Sequence, residues 1–240
     1  MRARPAVTVA AAAVVVLLAA GCSGGSAGAS GSAGSTPGAS ASSSLAGLPA
    51  SEILSRARAA ALAAGSVHVT GTQGDVALDL RIGPGVATGT VREGDLTAQV
   101  LRVGGRTYVK GDQAFWEGTA GPGTGAVLAG KWVVAGTGVA GTSGLAALTN
   151  LPQLLDLVLA QQGALSVTGT STVDGQRVVG VRDDGSGAVL WVAADGPPYP
   201  VAIDVPGQTA PPPRFTDWGH PVVVPTPPAD QVVDPSRLGG

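Results

Sequence analysis

The sequence predicts an α+β fold in which helices pack on the concave face of one strongly curved antiparallel β-sheet. Three observations predict it. Short segments alternate apolar residues with polar or small ones, as strands with one buried face do. Glycine-containing turns of a few residues join most of these segments, and turns this short connect only antiparallel neighbours. Two other segments repeat their apolar residues every three or four positions, the period of an amphipathic helix.

The beginning of the chain predicts an export signal rather than part of the fold. Arg2 and Arg4 form a basic start, and the apolar run over 6–18 is too short to span a membrane. An Ala-Ala-Gly stretch then leads directly to Cys22, in the order of a bacterial lipobox. We therefore expect residues 1–21 to form a lipoprotein signal peptide that is removed. The thiol of Cys22 would then carry the lipid.

Cys22 is the only cysteine of the chain, so no intrachain disulfide can form. It could be an incidental residue of an ordinary secreted protein, but a lone thiol directly after a signal is better explained by modification. Two acyl chains of the palmitate type give stable anchoring, at about 0.8 kcal/mol per buried CH₂. The expected location is therefore the outer, extracytoplasmic face of the cell membrane.

The mature chain divides by composition into a tether and one domain. Residues 22–47 are mostly Gly, Ser and Ala and offer almost nothing that could form a core, so we expect a flexible tether. A tether of this length spans about 28 Å root-mean-square. Residues 48–240 are enough for a single domain with a sizeable core.

The first half of this domain predicts one helix followed by five strands. The helix is expected to have Ser51 as its N-cap and to stop at Gly65. The strands, which alternate in polarity and are separated by turn residues, are 66–72, 76–82, 88–92, 96–103 and 107–110. Their short connections predict an antiparallel meander. Residues 112–149 then predict a loop-rich stretch.

The second half predicts another helix and four more strands. The apolar face of this helix has the clearest pattern of the chain: Leu151, Leu154, Leu155, Val158 and Leu159. Asn150 is expected to cap it, and Gly163 to end it. The strands are 166–173, 177–182, 188–193 and 201–205. Val-Thr-Gly-Thr follows the helix in both halves, which favours two related units in one continuous sheet.

The sequence offers no converging set of reactive groups, so we expect no catalysis, no metal and no cofactor. His68 and His220 lie far apart in the chain and cannot form a zinc set with the single cysteine. Residues 136–141 have the glycine spacing of a dinucleotide-binding loop, but no helix is expected to begin there. A net charge of −2 without a basic patch argues against a nucleic-acid partner.

Two further features allow more than one interpretation. Asp183 and Asp184 stand beside Gly185, where paired carboxylates either form a hairpin turn or bind Ca²⁺; the turn is favoured. The proline-rich stretches 211–213 and 225–228 are interpreted as spacers or edge segments rather than as polyproline ligands.

Six short stretches, taken in order, carry a family resemblance. They are AGSVHVTG at 64–71, RTYVKG at 106–111, AFW at 114–116, GKWV at 130–133, GPPYP at 196–200 and FTDW at 215–218. In this order they resemble the LppX/LprG-like lipoproteins of actinobacteria, relatives of the LolA and LolB lipoprotein carriers. The resemblance implies a half-open barrel that clasps helices around a hydrophobic cavity. It also implies a role in carrying lipids or acylated glycolipids outward from the cell membrane.

The resemblance gives the general position of the cavity, and the alternation of the strands gives candidate lining residues. These are Val67, Val69, Leu78, Leu80, Val100, Val103, Leu155 and Leu159. The expected function is that of a membrane-anchored lipoprotein that binds or carries a lipid. The alternative is a non-catalytic envelope interaction or sensory module with a filled core, in which a loop such as 118–144 contacts an envelope protein. A hydrolase is a third possibility, but no residue of the sequence stands out as a nucleophile for it.

Overall fold

The computed structural model describes residues 44–136 and 142–235. The predicted signal peptide, Cys22 and nearly all of the predicted tether lie outside the described residues. Within the described ranges, no helix has both the length and the apolar character needed to cross a membrane.

The first half of the sheet is the predicted antiparallel meander. Its strands are β1 (Val67–Gln73), β2 (Val76–Gly83), β3 (Val86–Glu93), β4 (Leu96–Val103), β5 (Arg106–Gly111) and the short β6 (Trp132–Val134). Each pairs antiparallel with the next along the chain. The turns contain glycines at positive φ, such as Gly74 at 59° and Gly94 at 57°, a backbone conformation that suits tight hairpins.

The second half adds β7 (Leu165–Val173), β8 (Gln176–Asp183), β9 (Val189–Ala193), β10 (Pro200–Asp204) and β11 (Arg214–Thr216). The chain then returns to the far edge as β12 (Val232–Val233), which pairs in parallel with β6. The resulting order in one twelve-stranded sheet is β12-β6-β5-β4-β3-β2-β1-β11-β10-β9-β8-β7. The sequence did not predict β11, and this three-residue strand joins the two halves because it pairs with both β1 and β10.

The first helix, α1 (Ala50–Ala64), contacts β7, β8 and β10 on the concave side of the sheet. Its predicted end is confirmed, because Gly65 follows it in the left-handed conformation with φ 73°. The prediction of Ser51 as N-cap is wrong. Pro49 occupies that position with φ −56° and ψ 144°, and Ser51 already lies inside the helix.

The prediction of a loop-rich stretch over 112–149 is wrong. The described part of this stretch contains α2 (Gln113–Ala120), α3 (Thr124–Leu128), β6 and α4 (Ser143–Leu148). The Asp112 carboxylate caps α2 by accepting the backbone N–H of Phe115 at 2.8 Å. Phe115 and Trp116 are buried in a second cluster of the core, which explains why so glycine-rich a stretch is folded.

The last helix, α5 (Leu151–Val158), begins as predicted, with the Asn150 side chain accepting the N–H of Gln153 at 3.2 Å. It does not continue to Gly163. The chain leaves the helix at Leu159, and Gly163 instead lies against the backbone of the β8–β9 turn. A Cβ on Gly163 would stand 2.4 Å from the backbone nitrogen of Gly185. Gly163 is therefore required for a close approach rather than for ending the helix.

The predicted α+β architecture, a curved and mostly antiparallel sheet with helices on its concave face, is confirmed. The main core cluster lies between the apolar face of the sheet and helices α1 and α5. On the opposite face the C-terminal segment crosses the sheet. Val222 packs so closely over Gly83 that an added Cβ would stand 3.0 Å from it, and Pro225–Pro228 pass beside Leu101 and Trp132. This proline-rich segment leads to the edge strand β12.

Candidate ligand site on the concave face

The register of the sheet places one row of apolar side chains across the concave face. Phe215 pairs with Val69, Val69 with Leu80, Leu80 with Gly89, Gly89 with Val100 and Val100 with Val109. The side chains of this row are almost completely buried. Because side chains alternate between the faces of a strand, a row of paired residues defines which face is inside.

Seven of the eight candidate lining residues belong to this concave side. Val67, Val69, Leu80, Val100 and Leu155 are buried in the main cluster, and two are half-buried and pack against it: Leu78 and Leu159. The structure therefore brings them together around α1 and α5.

Val103 lies elsewhere. It is three residues from Val100 on β4, and an odd separation puts two strand residues on opposite faces. Val103 is half-buried and lies outside the three buried clusters found in the described part of the chain. The alternation of β4 alone therefore places Val103 on the opposite face from Val100, so the sequence pattern did not support naming both as lining residues.

A small apolar cavity opens where α5 ends over β8, β9 and β10. Its volume is about 60 Å³. It is bordered mainly by aliphatic side chains: Leu54, Val158, Leu159, Leu165, Val181, Leu190 and Ile203. Leu159 is the one candidate lining residue that borders it. The others fill the interior beside it or, in the case of Val103, lie on the opposite face.

Apart from Leu159, the candidate lining residues did not include the strand residues of the second half that border this cavity. Val181 and Leu190 directly face each other in the pairing of β8 with β9. The same two-residue alternation that selected Val67 and Val69 in the first half was present around them. The alternation that identifies them was therefore present in the sequence, but lining residues were predicted only for strands of the first half.

The carboxylate of Asp183 organises the rim of this cavity. Its Oδ2 accepts the backbone N–H of Gln162 at 2.6 Å, and its Oδ1 accepts those of Gly185 and Ser186 at 2.8 and 3.1 Å. These bonds stabilise the charged carboxylate, and the bond from Gln162 contributes most to holding the pKa of Asp183 below its ordinary value. The turn interpretation is confirmed, since Asp183 uses both oxygens on turn and linker amides.

One exposed ion pair joins the two helices that cover the concave face. The Arg58 guanidinium of α1 lies 2.7 Å from the Asp156 carboxylate of α5. Both side chains are partly exposed, and exposed pairs of this kind contribute only about 0–1 kcal/mol. The apolar contacts beneath them, rather than this pair, hold α5 on the sheet.

The polar residues of the described ranges do not converge into a reactive centre on the concave face. His68 lies on the outward side of β1, with its Nε2 at 2.8 Å from Asp79 and its Nδ1 at 3.5 Å from Asp217. Arg81 also contacts Asp217. Within the described part of the chain, no group of three or more His, Cys, Asp or Glu side chains is placed to hold a metal ion.

The fold and site define a protein with a curved sheet, a helix-covered apolar concave face and a small cavity at one end. No family model and no curated protein matches the sequence. Among solved structures, LprF from Mycobacterium bovis aligns with a TM-score of 0.49 at 17% identity, covering 74% of this chain and 96% of that one. The lipoprotein LppX from Mycobacterium tuberculosis aligns with a TM-score of 0.42 at 20% identity, covering 73% and 99%. Both are lipoproteins of the family that the sequence resembles.

Proposed function

We propose that this protein is a lipid-binding lipoprotein, anchored through Cys22 at the outer face of the cell membrane. In this proposal one acyl chain of a membrane lipid enters between α5 and the concave face of the sheet. The observation that carries the proposal is the aliphatic cavity at the end of α5, whose lining includes buried residues of the main core cluster such as Val181 and Leu190. No reaction step and no cofactor is needed.

The physical reason for such a carrier is the insolubility of acyl chains. Exposing a 16-carbon chain to water costs about 12 kcal/mol, from about 0.8 kcal/mol per CH₂. A lining of Leu, Val and Ile replaces the bilayer interior with a similar apolar environment, so transfer into the protein becomes nearly level in free energy. A tether attached at Cys22 would keep the site within reach of the membrane.

The cavity must enlarge to accept a chain. Its volume of about 60 Å³ is well below the roughly 300–1,000 Å³ typical of ligand pockets. We infer that α5 moves away from the sheet during entry, since α5 contributes Val158 and is followed by Leu159 at the opening. The exposed pair between Arg58 and Asp156 offers little resistance to that movement.

The same small volume favours the second candidate function, an envelope interaction or sensory module with a filled core. In that case the helices would remain seated and an exposed surface would contact a partner protein. The two functions differ in whether lipid is found inside the protein.

The test is native mass spectrometry of the mature chain, 22–240, carrying Cys22→Ser and incubated with phosphatidylethanolamine and phosphatidylglycerol vesicles. The informative variant is Ala188→Phe, because Ala188 borders the cavity. Its control is Ala59→Phe, on the exposed side of α1.

We expect a discrete lipid adduct on the Cys22→Ser chain and on Ala59→Phe, and its loss on Ala188→Phe. A chain that stays free of lipid after incubation would instead support the interaction module. An adduct that Ala188→Phe retains in full would place the lipid outside the cavity.

A further inference from the structure

A second and larger groove lies at one end of the sheet, away from the cavity at α5. Its volume is about 960 Å³. It is formed where the β1–β2 and β3–β4 turns approach α2, and no residue that borders it also borders the small cavity. The two turns touch, because the backbone N–H of Gly94 donates to the carbonyl oxygen of Asp75 at 3.4 Å.

The floor of this groove is apolar. Val91, Ala98 and Phe115 are buried beneath it, and Leu96 and Leu145 are half-buried at its sides. Val91 belongs to the main core cluster, while Ala98 and Phe115 belong to the cluster around α2. The groove therefore lies over the seam between two apolar clusters, where the half-buried Leu96 and Leu145 offer apolar surface that a ligand's chain can cover.

The rim of the groove is acidic. Asp75, Glu93 and Asp95 are exposed on the two turns, and Arg92 is the one basic residue among those that border the groove. In the described part of the chain, none of the three carboxylates forms an ion pair or a side-chain hydrogen bond, unlike Glu52, which pairs with Arg56. Three carboxylates against one guanidinium leave an excess of negative charge around an apolar floor.

We infer that this groove binds a cationic amphiphile, a molecule with an apolar chain and an ammonium or similar cationic head. The chain lies on the floor between Leu96 and Leu145, and the cationic head lies among Asp75, Glu93 and Asp95. Charge complementarity selects the sign of the head group, since like charges at the same rim would repel an anionic one. This site goes beyond the proposed acyl-chain cavity and does not depend on it.

The test compares amphiphiles that share one chain but differ in head group. Dodecylammonium, dodecyl sulfate and the neutral dodecyl maltoside are titrated below their micelle concentrations into the mature chain carrying Cys22→Ser, followed by calorimetry. The informative variant combines Asp75→Asn, Glu93→Gln and Asp95→Asn, which removes charge at nearly constant shape. The control is Asp230→Asn, an exposed carboxylate on the segment that crosses the outer face.

We expect dodecylammonium to bind more tightly than dodecyl maltoside, and dodecyl sulfate to bind least. The triple variant should weaken dodecylammonium binding about 8- to 125-fold, at about two- to fivefold for each carboxylate removed, while Asp230→Asn should leave it unchanged. The preference should also shrink as the Debye length falls from about 30 Å at about 0.01 M salt to about 8 Å at about 0.15 M.

Equal binding of dodecylammonium and dodecyl sulfate would overturn the inference, as would a triple variant that keeps the cationic preference. Circular dichroism of the triple variant establishes that it is folded, and its affinity for dodecyl maltoside reports the apolar floor separately. Because the Ala188→Phe variant tests the acyl-chain cavity with vesicle lipid, failure of either proposal leaves the other measurable.

Discussion

Two leucines on α5, Leu155 and Leu157, provide a direct measure of how firmly this helix is seated. Leu155 is 0% exposed in the main core cluster, whereas Leu157 is 57% exposed. The comparison holds residue type and helix constant. Replacing each with Ala therefore isolates the contribution of burial.

Leu155→Ala should lower the free energy of unfolding by about 3–5 kcal/mol, because it removes buried methyl groups and leaves a cavity that the sheet cannot fill. For a domain of this size, roughly 2–4 °C of melting temperature is lost per kcal/mol, so the midpoint should fall by about 6–20 °C. Leu157→Ala loses less than half of one leucine's burial and leaves no internal cavity, so its cost should stay below about 1 kcal/mol.

The measurement is urea unfolding of the mature chain carrying Cys22→Ser, followed by tryptophan fluorescence and circular dichroism, with the slope m compared among the proteins. Similar losses in the free energy of unfolding for the two substitutions would refute the burial of Leu155 between α5 and the sheet. A cost below about 1 kcal/mol for Leu155→Ala would mean that α5 is largely detached from the sheet in solution.

Two other predictions concern a carboxylate and a glycine. The pKa of Asp183 is lowered in the folded protein from its ordinary value of 3.8, chiefly by the N–H of Gln162. The stability that its charged form supplies should be complete above about pH 4 and lost as the pH falls through the folded pKa. The urea midpoints of Asp183→Asn and the parent should therefore converge in acid. A difference between the two midpoints that does not change with pH would contradict a stabilising role for the charged carboxylate. At Gly89, φ is 153° and an added Cβ would stand 1.9 Å from the carbonyl oxygen of Asp79. Gly89→Ala should therefore lower the free energy of unfolding by about 3 kcal/mol or more. At Gly94, φ is 57° but an added Cβ would meet open space, so Gly94→Ala should lower the free energy of unfolding by only about 1–2 kcal/mol. Equal decreases in melting temperature for Gly89→Ala and Gly94→Ala would refute the close contact at Gly89.

The sequence predicted those parts of the fold that local patterns specify. Hairpins such as β3–β4 depend on alternation and on glycines in tight turns, and these signals lie within about twenty residues of each other. The capping of α5 by Asn150 and the end of α1 at Gly65 are equally local. The concave placement of Val69 and Leu80 also followed, because one buried face requires the alternating residues to share it.

Long-range pairing could not be predicted in this way. The strand β11 has three residues, and it exists because Phe215 lies opposite Val69 in distant sequence. The helices of the middle stretch were hidden by glycines, although Asp112 three residues before Phe115 is a recognisable capping pattern. The acidic groove likewise depends on two turns meeting at Asp75 and Gly94, which no local pattern specifies.

The position of β11 between β1 and β10 also bears on how the chain folds. Each meander can form from neighbouring hairpins, which close quickly because their loops are short. The seam of β1 with β11 joins Thr70 to Arg214 and must wait for nearly the whole domain to be present. Until then β1 exposes an unpaired edge able to pair with another chain. Because the chain is synthesised from its N-terminus, it is therefore most prone to aggregation before its last strands arrive.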